Sequence, residues 1–366
     1  MISPYRGSLI LLVLLGLAAT GEARWFVLPA ASYTGDLGWV VSCDAVYENQ
    51  RLQRYRATFE YYFGGEGQIM LSAFLPSAQQ QWTFEGRYQL LRQKAYSRER
   101  SSDLDEQIHA VRRYWEILVR RDIMQTTGLF YGGQTNFKSF EFGGYDTVAV
   151  GLTEDGLAEA FEEGLEYTAS LRLGFEGRDN RYDSRRGSYA LWQLDLGRSR
   201  GDGHEDGLIR ATIDLRRYFP IVSSSTVMAL NVRGGLIPSQ VPFFSRFNLG
   251  GGEDLRGFPL DRYGGNAFYL LRAEWRKILK DSVTISMEAL RALGMEVEDF
   301  VFSPGLALFS DGGDLWREDQ GWWGFRQGVG AGLRVHFPPN LIGSVDLARA
   351  LDADHWEIYM RLEQSF

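Results

Sequence analysis

Cysteine is almost missing from this 366-residue chain. Cys43 is the only one, so no intramolecular disulfide can staple the fold and no cysteine cluster can hold zinc. A lone thiol of this kind reads as an inert, small apolar side chain on a strand. Histidine is nearly as scarce: His109, His204, His336 and His355 are scattered along the chain without metal-ligand spacing. Neither a metal nor a cofactor is expected. Basic clusters are lacking too, and the net charge of -8 with a pI near 5.3 argues against nucleic acid as a partner. After residue 23, no segment approaches the roughly 20 continuous apolar residues that a transmembrane helix requires.

What the chain has instead is glycine, 42 residues, and 14% aromatics. Both suit tight turns, close strand packing and rings at a membrane interface. Residues 1–23 read as a secretory signal, with Arg6 leading, an apolar run from Leu9 to Ala19, and Gly21-Glu22-Ala23 as a small-residue cleavage site. Residues 24–366 form the expected mature chain. Export without a helical anchor leaves the periplasm, secretion or an outer-membrane barrel.

The decisive pattern is alternation. In the last thirteen residues, Trp356, Ile358, Met360, Leu362 and Phe366 share one parity, while Glu357, Tyr359, Arg361 and Glu363 share the other. Side chains alternate across a strand, so this segment presents one apolar and one charged face, and its final aromatic suits the interfacial girdle of a membrane barrel. The same pattern recurs. Leu165, Tyr167, Leu171 and Leu173 oppose Glu166, Thr168, Ser170 and Arg172; Tyr269, Leu271 and Trp275 oppose Arg272, Glu274 and Arg276. A soluble β-sandwich would also give period two. Segments of about ten residues, and opposite charges sharing the polar face, favour a membrane wall around a polar lumen.

Counting such segments predicts an all-β fold, a transmembrane antiparallel β-barrel of about 16 strands. An even number returns both chain ends to the periplasm. Asn49 to Gln53, Gly64 to Gly67 and Pro338 to Asn340 read as compact turns. Longer loops are expected at Arg92 to Ala110, Ser139 to Gly164, Arg198 to Gly207, Leu236 to Gly265 and Gly312 to Gly324. Thr153 to Glu163 carries helical periodicity, and Met287 to Met295 fits either a strand or an amphipathic turn.

The longest informative loop reads Phe247-Asn248-Leu249-Gly250-Gly251-Gly252-Glu253-Asp254-Leu255-Arg256-Gly257-Phe258, then Tyr263-Gly264-Gly265, then a strand with Glu274-Trp275-Arg276. An arginine carried into a confined polar lumen must keep a carboxylate, because burying an unpaired charge is costly and the guanidinium fork matches a carboxylate. Asp311 is the first choice of partner and Glu274 the second. Gly257 permits a backbone conformation closed to larger residues, and Phe258 packs the tip against the wall.

This stretch closely resembles the sixth extracellular loop of the outer-membrane insertase superfamily: the BamA and TamA barrels, two-partner secretion transporters and proteins with the bacterial surface antigen domain. Phe309-Ser310-Asp311-Gly312-Gly313, the glycine-rich run from Gly328 to Leu333, and Phe175-Glu176-Gly177-Arg178-Asp179-Asn180 with Arg186-Gly187 extend the likeness. The resemblance implies a loop folded into the lumen with Leu255, Arg256, Gly257 and Phe258 at its tip. It further implies a weak seam between first and last strands, and assembly or export of polypeptides in a bacterial outer membrane. The expected partners are outer-membrane lipid and unfolded outer-membrane or exported polypeptides, handled by a monomeric barrel. The family's periplasmic substrate-binding POTRA repeats are not expected here, since only a few residues separate the cleavage site from the first strand. A passive pore or structural barrel with a plugging loop is the alternative.

Enzyme signals are thin. Gly197-Arg198-Ser199-Arg200-Gly201 fits G-x-S-x-G with His204 nearby, but a polar loop follows where a nucleophile elbow needs a helix. Gly250 to Gly252 lacks the lysine of a phosphate loop. The chain is not expected to be an enzyme.

Overall fold

The computed structural model describes residues 23–34, 38–49, 53–62, 66–77, 79–96, 107–146, 163–201, 204–286, 288, 299–318, 321–337, 341–352, 355–362 and 366. Residues 1–22 of the expected signal segment, the helical reading of residues 153–162, the expected turn at 338–340 and nearly all of the ambiguous 287–295 stretch lie outside them.

The wall begins with β1 (Ala23–Thr34), β2 (Gly38–Asn49), β3 (Arg54–Tyr62), β4 (Glu66–Pro76), β5 (Gln80–Tyr96) and β6 (Gln107–Met124). It continues with β7 (Leu129–Asp146), β8 (Gly164–Glu176), β9 (Gly187–Gly201), β10 (His204–Ile221) and β11 (Ser223–Leu236). A small hairpin of β12 (Phe247–Leu249) and β13 (Tyr263–Gly265) stands apart from the wall. The wall resumes with β14 (Ala267–Ile278), β15 (Val283–Ile285), β16 (Phe300–Arg317), β17 (Gly321–Trp322), β18 (Arg326–Phe337), β19 (Leu341–Ala350) and β20 (Trp356–Leu362).

Each wall strand pairs antiparallel with the next in chain order. β15 and β17 are short pieces paired to β16. Setting those two and the inner hairpin aside leaves β1–β11, β14, β16 and β18–β20, sixteen wall strands, in line with the count from periodicity. β1 and β20 lie next to one another, yet among the described residues no ladder joins them.

Burial is inverted relative to a water-soluble protein. On β8, Glu166 is 1% exposed and Arg172 6%, while Leu171 is 60% and Leu173 56% exposed. On β3, Arg54 and Thr58 are buried whereas Tyr55, Phe59 and Tyr61 are exposed. Charged residues almost never bury unpaired, so an ionic interior and an apolar exterior identify the outer face as the one lipid covers. The outward parity of Trp356 and the buried Glu357 extend the rule to β20. No helix is long and apolar enough to cross a membrane; this wall crosses with strands.

Three expectations need correction. Gly312 to Gly324 is no long loop: β16 runs on to Arg317 and pairs there with β17. Arg198 to Gly207 is no long loop: β9 and β10 run into it and pair as far as His204 opposite Gly201. Polar sequence misled because a barrel strand that rises beyond the hydrocarbon can be polar on both faces. Phe366, placed by parity on the lipid side, is 6% exposed and packs with Tyr218, Val227 and Ala229 on the inner wall. The Arg272 and Arg276 guanidiniums lie 4.6 Å and 5.3 Å from its ring centroid, and Arg276 Nη2 donates to its backbone oxygen at 2.8 Å. Cation–π attraction inside the lumen outweighs girdle placement for this aromatic.

The connection between β8 and β9, residues 177–186, turns into the lumen at the end of the barrel that carries Ala23 and Leu362. Asn180 Oδ1 accepts the Tyr182 and Asp183 N–H groups, and Asp179 Oδ1 accepts those of Arg185 and Arg186, an Asx-type brace. The braced turn reaches both walls. Tyr182 lies under Arg54 at 3.6 Å, and Arg181 Nη2 donates to Gln81 at 2.7 Å. On the far side, Asp183 meets His336 of β18 at 3.2 Å.

Candidate functional site: the inward loop and the seam

Residues 237–266 leave β11, fold inward as the β12–β13 hairpin and return to β14. Leu249, Leu255 and Phe258 bury against Phe268, Leu270, Leu315 and Ala350 of the inner wall, with Phe247 and Tyr263 alongside. Apolar residues at these positions give the loop its own small core. Burying each is worth roughly 1.5–3 kcal/mol.

Beyond this core stands Arg256, fully buried. Its Nε and Nη2 form a fork with Asp311 at 2.6 Å and 2.9 Å, and Nη1 donates to Glu274 at 2.8 Å and Asp346 at 3.1 Å. Its guanidinium also stacks on Phe309, 3.5 Å from the ring centroid. These partners come from β14, β16 and β19, so one side chain ties the loop to three strands. Burial opposes the positive charge, but Asp311, Glu274 and Asp346 outweigh it and raise the Arg256 pKa above its ordinary value. The carboxylates are shared in turn: Arg334 bonds Asp346 at 2.5 Å and Glu274 at 3.1 Å, and Arg276 bonds Glu274 at 2.9 Å. Buried charges at this density persist only when each is hydrogen-bonded.

Glycine is demanded at two points. Gly257 has φ +98°, and a side chain there would press on the backbone of Arg349 and Ala350. At Gly328 a Cβ would sit 1.7 Å from the carbonyl oxygen of Arg256. Part of the glycine-rich run on β18 is therefore the imprint of the loop tip.

The last strand grips the same tip. Tyr359 Oη accepts the Gly257 N–H at 3.0 Å and donates to the Phe258 carbonyl at 2.9 Å. Arg361 Nη2 bonds Asp346 at 2.5 Å, and its Nη1 donates to the Gly252 carbonyl. Asp346, Tyr359 and Arg361 were not singled out from sequence. Their signal was present as inward parity on alternating strands, but parity does not say which wall residue faces a loop.

Of the expected residues, Leu255, Arg256, Gly257, Phe258, Asp311 and Glu274 come together. Trp356 faces outward, Ile358 and Met360 are half-buried, Leu362 ends β20, and Phe366 lies inside, 4.6 Å from the Arg272 guanidinium. Ser199 sits within β9, fully buried, sharing a 2.6 Å hydrogen bond with Ser245 of the loop base. Strand continues on both sides of it, so the G-x-S-x-G stretch forms no nucleophile elbow. Among the described residues no group of three or more His, Cys, Asp or Glu could hold a metal.

No curated protein matches the sequence. Among solved structures, BamA from Haemophilus ducreyi lacking POTRA domains 1–3 aligns with a TM-score of 0.57 at 12% identity, covering 97% of this chain and 75% of that one. CdiB from Escherichia coli aligns with a TM-score of 0.61 at 11% identity, covering 98% and 68%. CdiB from Acinetobacter baumannii gives 0.56 at 12%, covering 97% and 65%. Identities this low speak for the fold. The Omp85 superfamily domain matches residues 26–353, nearly the whole described barrel. This chain therefore belongs to the Omp85 superfamily and is an outer-membrane β-barrel.

Proposed function

We propose that the chain assembles or exports polypeptides at the outer membrane by opening the seam between β1 and β20 and pairing a client strand with the exposed edge. One observation carries this reading. Every other neighbouring pair of wall strands is joined by an antiparallel ladder, whereas β1 and β20 approach without one among the described residues. An unpaired strand edge is a template for another strand, since its N–H and C=O groups seek partners. The loop tip supports the reading by holding β20 from inside through Tyr359 and Arg361, which leaves the last strand in place when its outer edge is free.

Clients are unfolded outer-membrane or exported polypeptides, and the barrel works as a monomer in lipid. The loop and the 177–186 turn occupy the lumen from both ends, which disfavours a wide passive pore. In planar bilayers, small fluctuating openings fit the assembly reading, and a steady large conductance fits the pore. The direct test steps cysteine pairs along β1 and β20 in a Cys43→Ser background. Oxidation should stop client assembly and reduction should restore it, with the outer-membrane proteome after depletion of the protein identifying the clients. Normal client assembly with the seam locked would refute the mechanism.

A further inference from the structure

The lumen keeps open space where the 177–186 turn meets the wall, a cavity of about 120 Å³. Arg120 and Asp122 of β6, Arg172 and Glu176 of β8, and Arg178 and Arg181 of the turn line it. Four guanidiniums face two carboxylates, leaving two positive charges in excess among these lining residues. The carboxylates are already claimed. Asp122 accepts from Arg172 at 3.0 Å and stands 3.6 Å from Arg120; Glu176 takes the Arg178 fork at 2.8 Å and 2.6 Å and stands 3.5 Å from Arg181. Arg120 and Arg181 instead donate to neutral oxygens, those of Thr83 and Gln81, at 2.8 Å and 2.7 Å.

We infer that this cavity is an oxyanion site whose ligand is a small dianion of the phosphate or sulfate class. Low-dielectric walls around like charges focus the field into the space they enclose, and arginine rings in confined lumens favour anions. A guanidinium presents several donors in a plane that matches oxyanion edges, so Arg120 and Arg181, each only loosely tied to a carboxylate and otherwise bonded to a neutral oxygen, are the two best placed to turn donors to the ligand. A dianion offsets the local excess. It would also link Arg181 of the turn to Arg120 of β6, strengthening the turn's hold across the barrel. The site is independent of the seam and stands or falls separately.

The test uses the full chain folded in non-ionic detergent at about pH 8, where phosphate is dianionic. Inorganic phosphate is titrated by calorimetry and by thermal unfolding, against chloride at equal ionic strength. Saturable heat and a rising, saturating midpoint are expected with phosphate and sulfate, and neither with chloride. Arg120→Gln and Arg181→Gln should each weaken phosphate binding about tenfold or more, whereas Arg87→Gln, on the inner wall away from the cavity, should leave it unchanged. Arg181 lies in the turn and is partly exposed, so its variant provides the answer even if Arg120→Gln fails to fold. A non-saturating response shared with chloride, or unaltered affinity in Arg181→Gln, would overturn the site.

Discussion

The Tyr359 hydroxyl holds Gly257 by accepting its N–H at 3.0 Å while donating to the neighbouring Phe258 carbonyl at 2.9 Å, so one side chain of the last strand makes two hydrogen bonds to the loop tip. The contact joins positions far apart in sequence, and it couples the strand at the seam to the loop inside. Tyr359→Phe keeps the ring and removes both bonds; the Phe258 carbonyl retains the Gly251 N–H at 2.9 Å, but the buried Gly257 N–H is left unsatisfied at roughly 1–3 kcal/mol. The expected result is faster amide exchange at Gly257 and in β20, with the β5–β8 wall unchanged. Uniform exchange across the barrel would show that the tyrosine does not tie these two parts together.

Arg256→Ala removes the cation from a site of three buried carboxylates. Breaking a buried pair by deleting one partner costs about 3–5 kcal/mol. Lower folded yield and altered heat-modifiable gel migration are expected. Arg256→Lys should recover only part of the loss, because an ammonium cannot reproduce the fork with Asp311. Wild-type abundance and migration of the alanine variant would count against the network's role.

Gly328→Ala places a methyl 1.7 Å from the Arg256 carbonyl oxygen, backbone that cannot swing aside. Overpacking of this kind costs about 1–3 kcal/mol. Gly86→Ala on β5 has nothing within 4 Å and serves as the matched control. A lower unfolding midpoint for the first, with little change for the second, is the expected pair of results.

Asp183 gives a pH dependence. Burial pushes its carboxyl up, but the His336 imidazole 3.2 Å away and the Arg185 guanidinium outweigh this and hold its pKa down to about 2, below the ordinary 3.8. A depressed folded pKa means stability that is present above the unfolded value and lost as pH falls through the folded one. Release of the 177–186 turn from β18 is expected as pH drops from about 4 to about 2. Tyr182 fluorescence or amide exchange would follow it. Asp183→Asn should lack this acid step, and an identical acid profile in that variant would disprove the assignment.

Much of the molecule was legible without coordinates because two rules are local. Period two states which face a residue takes, and the inward Glu166 and Arg172 beside the outward Leu171 and Leu173 show it holding along a whole strand. Order and spacing of the Leu255–Phe258 tip, the Asp311 strand and the glycine-rich run from Gly328 marked the inward loop through the family resemblance, and Gly257, Gly328 and Asp311 each answer a steric or electrostatic demand of that loop.

Sequence alone thus determined the wall, its sidedness and its approximate strand number, because alternation acts over a few residues, and the resemblance of the loop motif picked out the buried arginine. Tertiary structure decided who meets whom across the lumen. Asp346 and Tyr359 join the loop, Phe366 turns inward onto Arg272 and Arg276, and the 177–186 turn spans from Arg54 to His336. Those partners are set by closure of the sheet, which brings distant strands face to face around one confined polar space. No pattern within a single strand encodes that distance.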